Sequence, residues 1–243
     1  MEKMKKPKLN WGTAEPSAIA FVENEIFNLN CYESVYPVKK DDVVLDIGAS
    51  IGPFTWSIMD KASKVYAVEP VKNQINLLKK NVEGFNVEII NKIISFKNEE
   101  VIFKDGCLTG NYSNSISSWE NERWDDGKNK ADEDLIDAIT FKKLISSIPE
   151  DIDFIKTDCE GGEYFIFNDE NMPLLKTIRT IVGEFHLQDP LLKIEFRYFR
   201  DKYLTQFPNY EVRSLDNIDI KWDLFNDHFI NYYDQVMIYI NNN

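Results

Sequence analysis

The sequence predicts an α/β fold of the Rossmann-like kind, and three observations carry that expectation. Short apolar runs alternate with segments of helical period from Val43 onward, the βαβ pattern. The first run passes straight into a Gly-containing turn, Asp46-Ile47-Gly48-Ala49-Ser50-Ile51-Gly52. The second run ends in an acid, Glu69, at the carboxyl end of its strand, where open α/β sheets meet their ligands. A chain of 243 residues with 43% hydrophobic content suits one such domain with modest additions.

Each element follows from local pattern. Val43 to Ile47 is a short apolar run and reads as a buried parallel strand. Pro53 to Lys61 is a helix, with Pro53 in the first turn, where a missing N–H costs nothing. Lys64 to Val68 is the second strand. Val71 to Asn81 is the second helix, with Ile75, Leu78 and Val82 on one face. Val87 to Ile90 is the third strand, and Ile93 to Phe103 is strand or hairpin material. Lys104 to Asp134 is polar, holds Trp119 and Trp124, and lacks periodicity over a length that marks a lid or mobile loop insertion. A helix near Phe141 to Ser147, strands at Ile152 to Thr157 and Thr180 to Phe185, and an aromatic-rich helix at Leu191 to Tyr203 follow. Tyr210 to Ser214 and Gln235 to Ile240 are late strands. No linker divides the chain, so residues 1–40 form an N-terminal extension and 41–243 the domain.

Composition narrows the function classes. With 28 basic and 41 acidic residues the net charge is −13, which disfavours nucleic-acid backbones as partners. No apolar run approaches the roughly 20 residues of a membrane span, and no apolar segment follows Met1 to Asn10 as in a secretory signal. A soluble cytoplasmic protein is the resulting expectation. Cys31, Cys107 and Cys159 are too scattered for a zinc site or a disulfide framework and read as small buried hydrophobes.

The turn after the first strand specifies a ligand class. A dinucleotide site wants Gly at its first, third and sixth places. Here Asp46 holds the first place and Ile51 the sixth. An acid there repels pyrophosphate and favours a cationic ligand, such as the ammonium and sulfonium of S-adenosylmethionine. Gly48 allows a tight turn close to a ligand, and Gly52 allows close packing at the helix start. Glu69 lies 23 positions after Asp46, near the separation of a ribose-binding acid. Asn91, after the third strand, is placed either to bond an adenine edge or simply to shape a loop.

At these residues the chain resembles the FkbM-type family of S-adenosylmethionine-dependent methyltransferases. The family pattern Asp-Ile-Gly-Ala-Asn-x-Gly-x-Phe-Ser/Thr is matched by Asp46 through Thr55, and Val65-Tyr66-Ala67-Val68-Glu69-Pro70 also matches. Asp153-Phe154-Ile155-Lys156-Thr157-Asp158-Cys159-Glu160-Gly161-Gly162-Glu163 is close to the family's Asp-Phe-Ile-Lys-Ile-Asp-Val-Glu-Gly-Ala-Glu. Gly183-Glu184-Phe185-His186 is similar to its Glu-Phe/Ile-His strand end. Ser50 stands where Asn is usual, Cys159 for Val and Gly162 for Ala. The resemblance covers Val43 to His186. It implies a class I methyltransferase fold: a mostly parallel twisted sheet, an antiparallel C-terminal strand, and helices on both faces. It makes Asp46, Gly48, Ala49, Ser50, Gly52, Glu69 and Pro70 the donor-binding positions, with Asn91, outside the matched motifs, as the candidate at the adenine edge. It implies O-methylation of a hydroxyl on a saccharide, glycolipid or small natural product.

Such a transfer needs a base for the hydroxyl proton. Asp158 and His186 end or follow strands that open into the same crevice, and an imidazole titrates near neutrality. His186 is therefore the expected base, held by Asp158 or Glu184; a structural histidine is the plain alternative. Asp158, Glu160, Glu163, Glu184 and His186 hold enough donors for Mg²⁺, which some sugar O-methyltransferases of related fold use. The spacing permits a metal without demanding one, and no metal ligand is assigned. The aromatic segment of Trp222, Phe225, Phe229, Tyr232 and Tyr233 suits core packing or a homodimer contact. Two other readings compete: an NAD-dependent oxidoreductase, opposed by Asp46, and a non-catalytic binding protein retaining the fold, opposed by the intact Asp46, Glu69 and Asp158.

Overall fold

Seven strands order themselves around β1 (Val43–Ile47), the run that leads into the glycine turn. The computed structural model describes residues 5–104, 107–108 and 134–243. The expected loop insertion at 104–134, with Trp119 and Trp124, lies mostly outside the described residues.

β2 (Lys64–Val68) and β8 (Phe154–Thr157) flank β1 in parallel; β3 (Val87–Ile90) and β9 (Thr180–His186) extend the sheet in parallel on either side. β11 (Gln235–Asn241) runs antiparallel to both β9 and the edge strand β10 (Asn209–Arg213), completing the order β10-β11-β9-β8-β1-β2-β3. A small second sheet joins β4 (Ile93–Ile94), β7 (Asp134–Ile139), β5 (Glu99–Lys104) and β6 (Cys107–Leu108). The Rossmann-like expectation holds, including the antiparallel C-terminal strand.

Helices cover both faces, so the central strands are near-continuous apolar runs. On one face α1 (Pro16–Glu23), α2 (Pro53–Ile58) and the chain from Ile26 to Val38 pack over Val44, Val65, Phe154, Val182 and Tyr239. On the other, α4 (Phe141–Ser147), α5 (Glu163–Ile166), α6 (Met172–Leu175) and α7 (Pro190–Lys202) cover Leu45, Ile47, Ile155, Ile181 and Phe185. α3 (Lys72–Asn81) packs Leu78 beside Ala49 and Ala67. The period-2 alternation thus divides each strand between two cores. Phe185 and Phe199 stack at 4.5 Å and seat α7 on β9, a pair worth about 1 kcal/mol beyond burial. In the short α8 (Asp227–Ile230) region Leu224 and Ile230 are buried, while Trp222, Phe225, Phe229 and Tyr232 stay exposed.

Among the features not expected from sequence are α1 and strand β7. The helical run Pro16–Glu23 has neither a side-chain N-cap nor an acidic first turn to announce it, and β7 sits at the end of a polar stretch.

The β1–α2 turn has its own constraints. Gly48 has φ 75°, and a Cβ there would lie 1.8 Å from the Asp158 carbonyl oxygen. Its bare Cα therefore serves contact between two strand ends more than approach of a ligand. Gly52, φ 90°, would set a Cβ 2.4 Å from Leu78, so close helix packing is its reason, as expected. Ser50 is left-handed at φ 52°. Asn tolerates that region better than Ser, which explains why Asn is usual there.

Gly48→Ala is expected to cost about 3 kcal/mol or more, because the clash is with backbone. Ser50→Asn is expected to gain a few tenths up to about 1 kcal/mol. Urea unfolding checks both, and wild-type stability in Gly48→Ala would refute the packing account.

Candidate functional site

Register and alternation place the chemistry. Asp46 of β1 lies opposite Lys156 of β8, and Lys156 opposite Val182 of β9. Asp158, Glu184 and His186 follow on the same face at steps of two. The carboxyl ends of β1, β8 and β9 therefore open into one pocket. It is lined by Gly48, Ala49 and Ser50 of the turn, by Lys156, Asp158, Glu160, Glu184 and His186, and by Phe21, Glu25 and Tyr32 from the N-terminal segment.

At its floor is Lys156, only 3% exposed. Its ammonium donates to the Gly48 carbonyl at 2.7 Å and faces Asp46 Oδ1 at 3.3 Å and Asp158 Oδ2 at 3.6 Å. Burial opposes its charge, but Asp46 and Asp158 outweigh that and hold its pKa above the usual lysine value. Asp46 is fully buried, and its Oδ2 accepts from the Thr55 hydroxyl at 2.6 Å. This corrects the sequence reading of Asp46 as a group facing a cationic ligand: the cation beside it is the chain's own Lys156. Its charge therefore discriminates little between ligands.

His186 is 2% exposed and encircled by acids. Its Nδ1 lies 3.1 Å from Glu163 Oε1, which also accepts the Cys159 N–H at 2.8 Å. Its Nε2 lies 3.4 Å from Glu160, 3.6 Å from Glu184 Oε1 and 3.8 Å from Asp158 Oδ1. Burial works against a charged ring, but Glu163, Glu160 and Glu184 outweigh it and raise its pKa well above the usual histidine value. The Tyr32 hydroxyl lies 2.7 Å from Asp158 Oδ2, to which it donates, and 3.4 Å from Glu184 Oε2. Burial, then the charges of Asp158 and Glu25, push Glu184 well above the carboxylate range. Burial, then Asp158, raise Glu25 to about 7. The structure thus brings Asp158, Glu184 and His186 together. Glu160 has a left-handed φ of 53°, and its carboxylate turns back to His186.

The other donor-side positions lie at the end of β2. Glu69 is 4% exposed and accepts the N–H of Ser50 at 2.9 Å and of Val71 at 2.8 Å. Burial outweighs those two donors and raises its pKa to about 7. A carboxylate has about four acceptor positions, so these bonds leave capacity for hydroxyl donors. Asn91 uses its amide on the Glu69 and Pro70 carbonyls at 3.1 and 2.8 Å, the loop-shaping role of the two open to it. Pro70 is half-buried beside it. His228 is far from this chemistry in α8, its Nε2 near Tyr232 at 3.3 Å.

Glu25 and Tyr32 escaped the sequence reading. They precede β1 without motif or periodicity, and only the packing of residues 26–38 against Val44 and Phe54 carries them to the pocket. A lysine inside a buried strand needs an acid beside it, and Lys156 has two.

Among known proteins, the chain is 36% identical over 74 residues to ribosomal RNA small subunit methyltransferase A of Alkaliphilus metalliredigens, covering 29% of this chain and 26% of that protein. The chain thus spans about a quarter of that relative's length. Among solved structures it is similar to methyltransferase FkbM from Methylobacillus flagellatus, with TM-score 0.48 and 14% identity, covering 87% of this chain and 47% of that one. A putative methyltransferase from Streptococcus mutans in complex with SAH gives TM-score 0.48 at 9% identity, covering 92% and 96%. The family model described as the methyltransferase FkbM domain matches residues 46–218, from the buried Asp46 past His186, and the chain belongs to that family.

Proposed function

We propose that this chain transfers a methyl group from S-adenosylmethionine to a hydroxyl of a saccharide, glycolipid or small natural product. The observation that carries the reading is the cluster of Asp158, Glu184 and His186, set beside the Gly48–Ser50 turn in one pocket. Family membership implies S-adenosylmethionine as donor; the acceptor class rests on the resemblance. When bound, S-adenosylmethionine supplies a methyl group made electrophilic by the sulfonium.

The residues present fit such a donor. Glu69 offers carboxylate lone pairs to ribose hydroxyls beside the Ser50 amide. Glu25, Asp158, Glu160 and Glu184 give the pocket an acidic lining, which suits a cationic donor. The Asp158–Glu184–His186 cluster receives the acceptor's proton as the new C–O bond forms and the S–CH₃ bond breaks. Glu163 fixes the His186 ring from behind, and Tyr32 orients the two carboxylates. Phe21, Val22 and Ile26 wall the pocket on the N-terminal side and restrict water there.

Calorimetry is expected to show micromolar binding of S-adenosylmethionine and S-adenosylhomocysteine, weakened about tenfold or more in Glu69→Ala. Unaltered affinity in that variant removes Glu69 from the ribose site; tight NAD binding in place of both ligands would sink the methyl-transfer reading.

A pH dependence follows from Glu69, whose pKa stands at about 7 against an ordinary 4.5. Hydroxyl donors prefer the ionised carboxylate, so donor affinity is expected to fall as pH drops through about 7. For folding the sign is opposite. The protonated form is favoured in the native state, so this stabilisation is full below 4.5 and lost as pH rises to about 7. Glu69→Gln is expected to flatten both profiles, read by calorimetry and by urea unfolding across that range.

His186→Ala is expected to keep S-adenosylhomocysteine binding and lose turnover by about 10²-fold or more in an acceptor screen. An unimpaired rate takes His186 out of the mechanism.

A further inference from the structure

We propose that Asp158, Glu184 and His186 form a divalent-cation site of the Mg²⁺/Mn²⁺ class, with Glu25 of the N-terminal segment as a further oxygen donor. One donor atom from each of the three lies within 4.8 Å of the others. His186 Nε2 stands 3.6 Å from Glu184 Oε1 and 3.8 Å from Asp158 Oδ1. Those separations are too long for hydrogen bonds. They match neighbouring ligands around one ion, which at bonds of about 2.1–2.3 Å sit about 3.0–3.8 Å apart.

The surrounding groups are arranged as a ligand set requires. Tyr32 engages Asp158 Oδ2 and approaches Glu184 Oε2, which leaves free for an ion Asp158 Oδ1 and Glu184 Oε1, in each residue the oxygen paired with His186 Nε2. Behind the ring, Glu163 holds Nδ1 at 3.1 Å, the carboxylate–histidine pairing that fixes a metal-binding tautomer. Lys156 faces Asp46 and the other oxygen of Asp158, at 3.3 and 3.6 Å.

Glu25 supplies a separate observation. It is 9% exposed, lines the same pocket, shares a side-chain hydrogen bond with Glu184, and keeps its buried Oε1 without a hydrogen-bond partner among the described residues. A buried carboxylate oxygen with no donor is costly unless a proton or a cation meets it. Two or three carboxylates with one imidazole select a hard to borderline ion, and Mn²⁺ accepts both ligand types. With the ion bound, Asp158, Glu184 and His186 hold it rather than take the proton. The ion ligates the acceptor oxygen, and the hydroxyl proton passes to the Glu160 carboxylate in the same pocket. That use rests on the methyl-transfer reading; the ion's binding does not.

The test is Mn²⁺ titration of the EDTA-treated, desalted full chain, followed by electron paramagnetic resonance, with thermal unfolding in parallel. One saturable site at micromolar Mn²⁺ is expected, with a Tm rise that Mg²⁺ reproduces at higher concentration. Glu184→Gln and His186→Ala are expected to weaken binding at least tenfold, and Glu25→Gln several-fold, each checked for a cooperative unfolding transition. If Glu184→Gln does not fold, Glu25→Gln and Asp158→Asn carry the comparison. Absence of saturable binding below millimolar Mn²⁺, or undiminished binding in the folded variants, overturns the site. S-adenosylhomocysteine calorimetry on the same samples separates the two readings. Donor binding without Mn²⁺ binding sinks the cation site alone; Mn²⁺ binding without donor binding supports the site and sinks methyl transfer alone.

Discussion

A single buried ammonium joins the sheet to the pocket. Lys156 binds the Gly48 carbonyl and stands between Asp46 and Asp158, so one cation links the end of β1, the turn that follows it and the end of β8. Taking these charges out of water is expensive, and their mutual attraction with good hydrogen bonding offsets the cost. Removing one partner would leave a buried charge unmatched, a loss of roughly 3–5 kcal/mol. Gly48 belongs to the same constraint, since a side chain there would collide with the Asp158 backbone. The turn is thus built against the strand end that carries Asp158.

Above that floor the charge balance reverses. Glu25, Asp158, Glu160, Glu163 and Glu184 gather around His186, with Lys156 as the other cation of the group. Burial and mutual repulsion raise Glu25 and Glu184, the mark of a site where more carboxyls gather than could all be ionised without a further cation. A positively charged ligand relieves that imbalance, whether a sulfonium, a divalent ion or both. The left-handed Glu160 shows backbone strain held at the same place.

The N-terminal segment has two tasks. Ile26, Cys31, Tyr32 and Val38 complete the core over one face of β1 and β8. The same packing carries Glu25 and Tyr32 to the pocket mouth, where one adds a carboxylate and the other orients two. Residues that read as an extension before the domain are therefore part of the site's wall.

The sequence by itself determined the order of strands and helices, the Gly48–Gly52 turn, and the acids and histidine at the strand ends. Those features are local: apolar runs, helical periods and motif spacing write them into a few consecutive residues. What only the tertiary structure decided was which groups face one another. Asp46, from its place in the turn motif, looked free for a ligand, but strand register set Lys156 beside it. Asn91 was equally a base contact or a loop brace until its amide met the Glu69 and Pro70 carbonyls. Glu25 and Tyr32 carried no signal, because their contacts lie more than a hundred residues away along the chain. Pairings of that kind depend on register and on packing between distant segments, and neither leaves a short-range pattern to read.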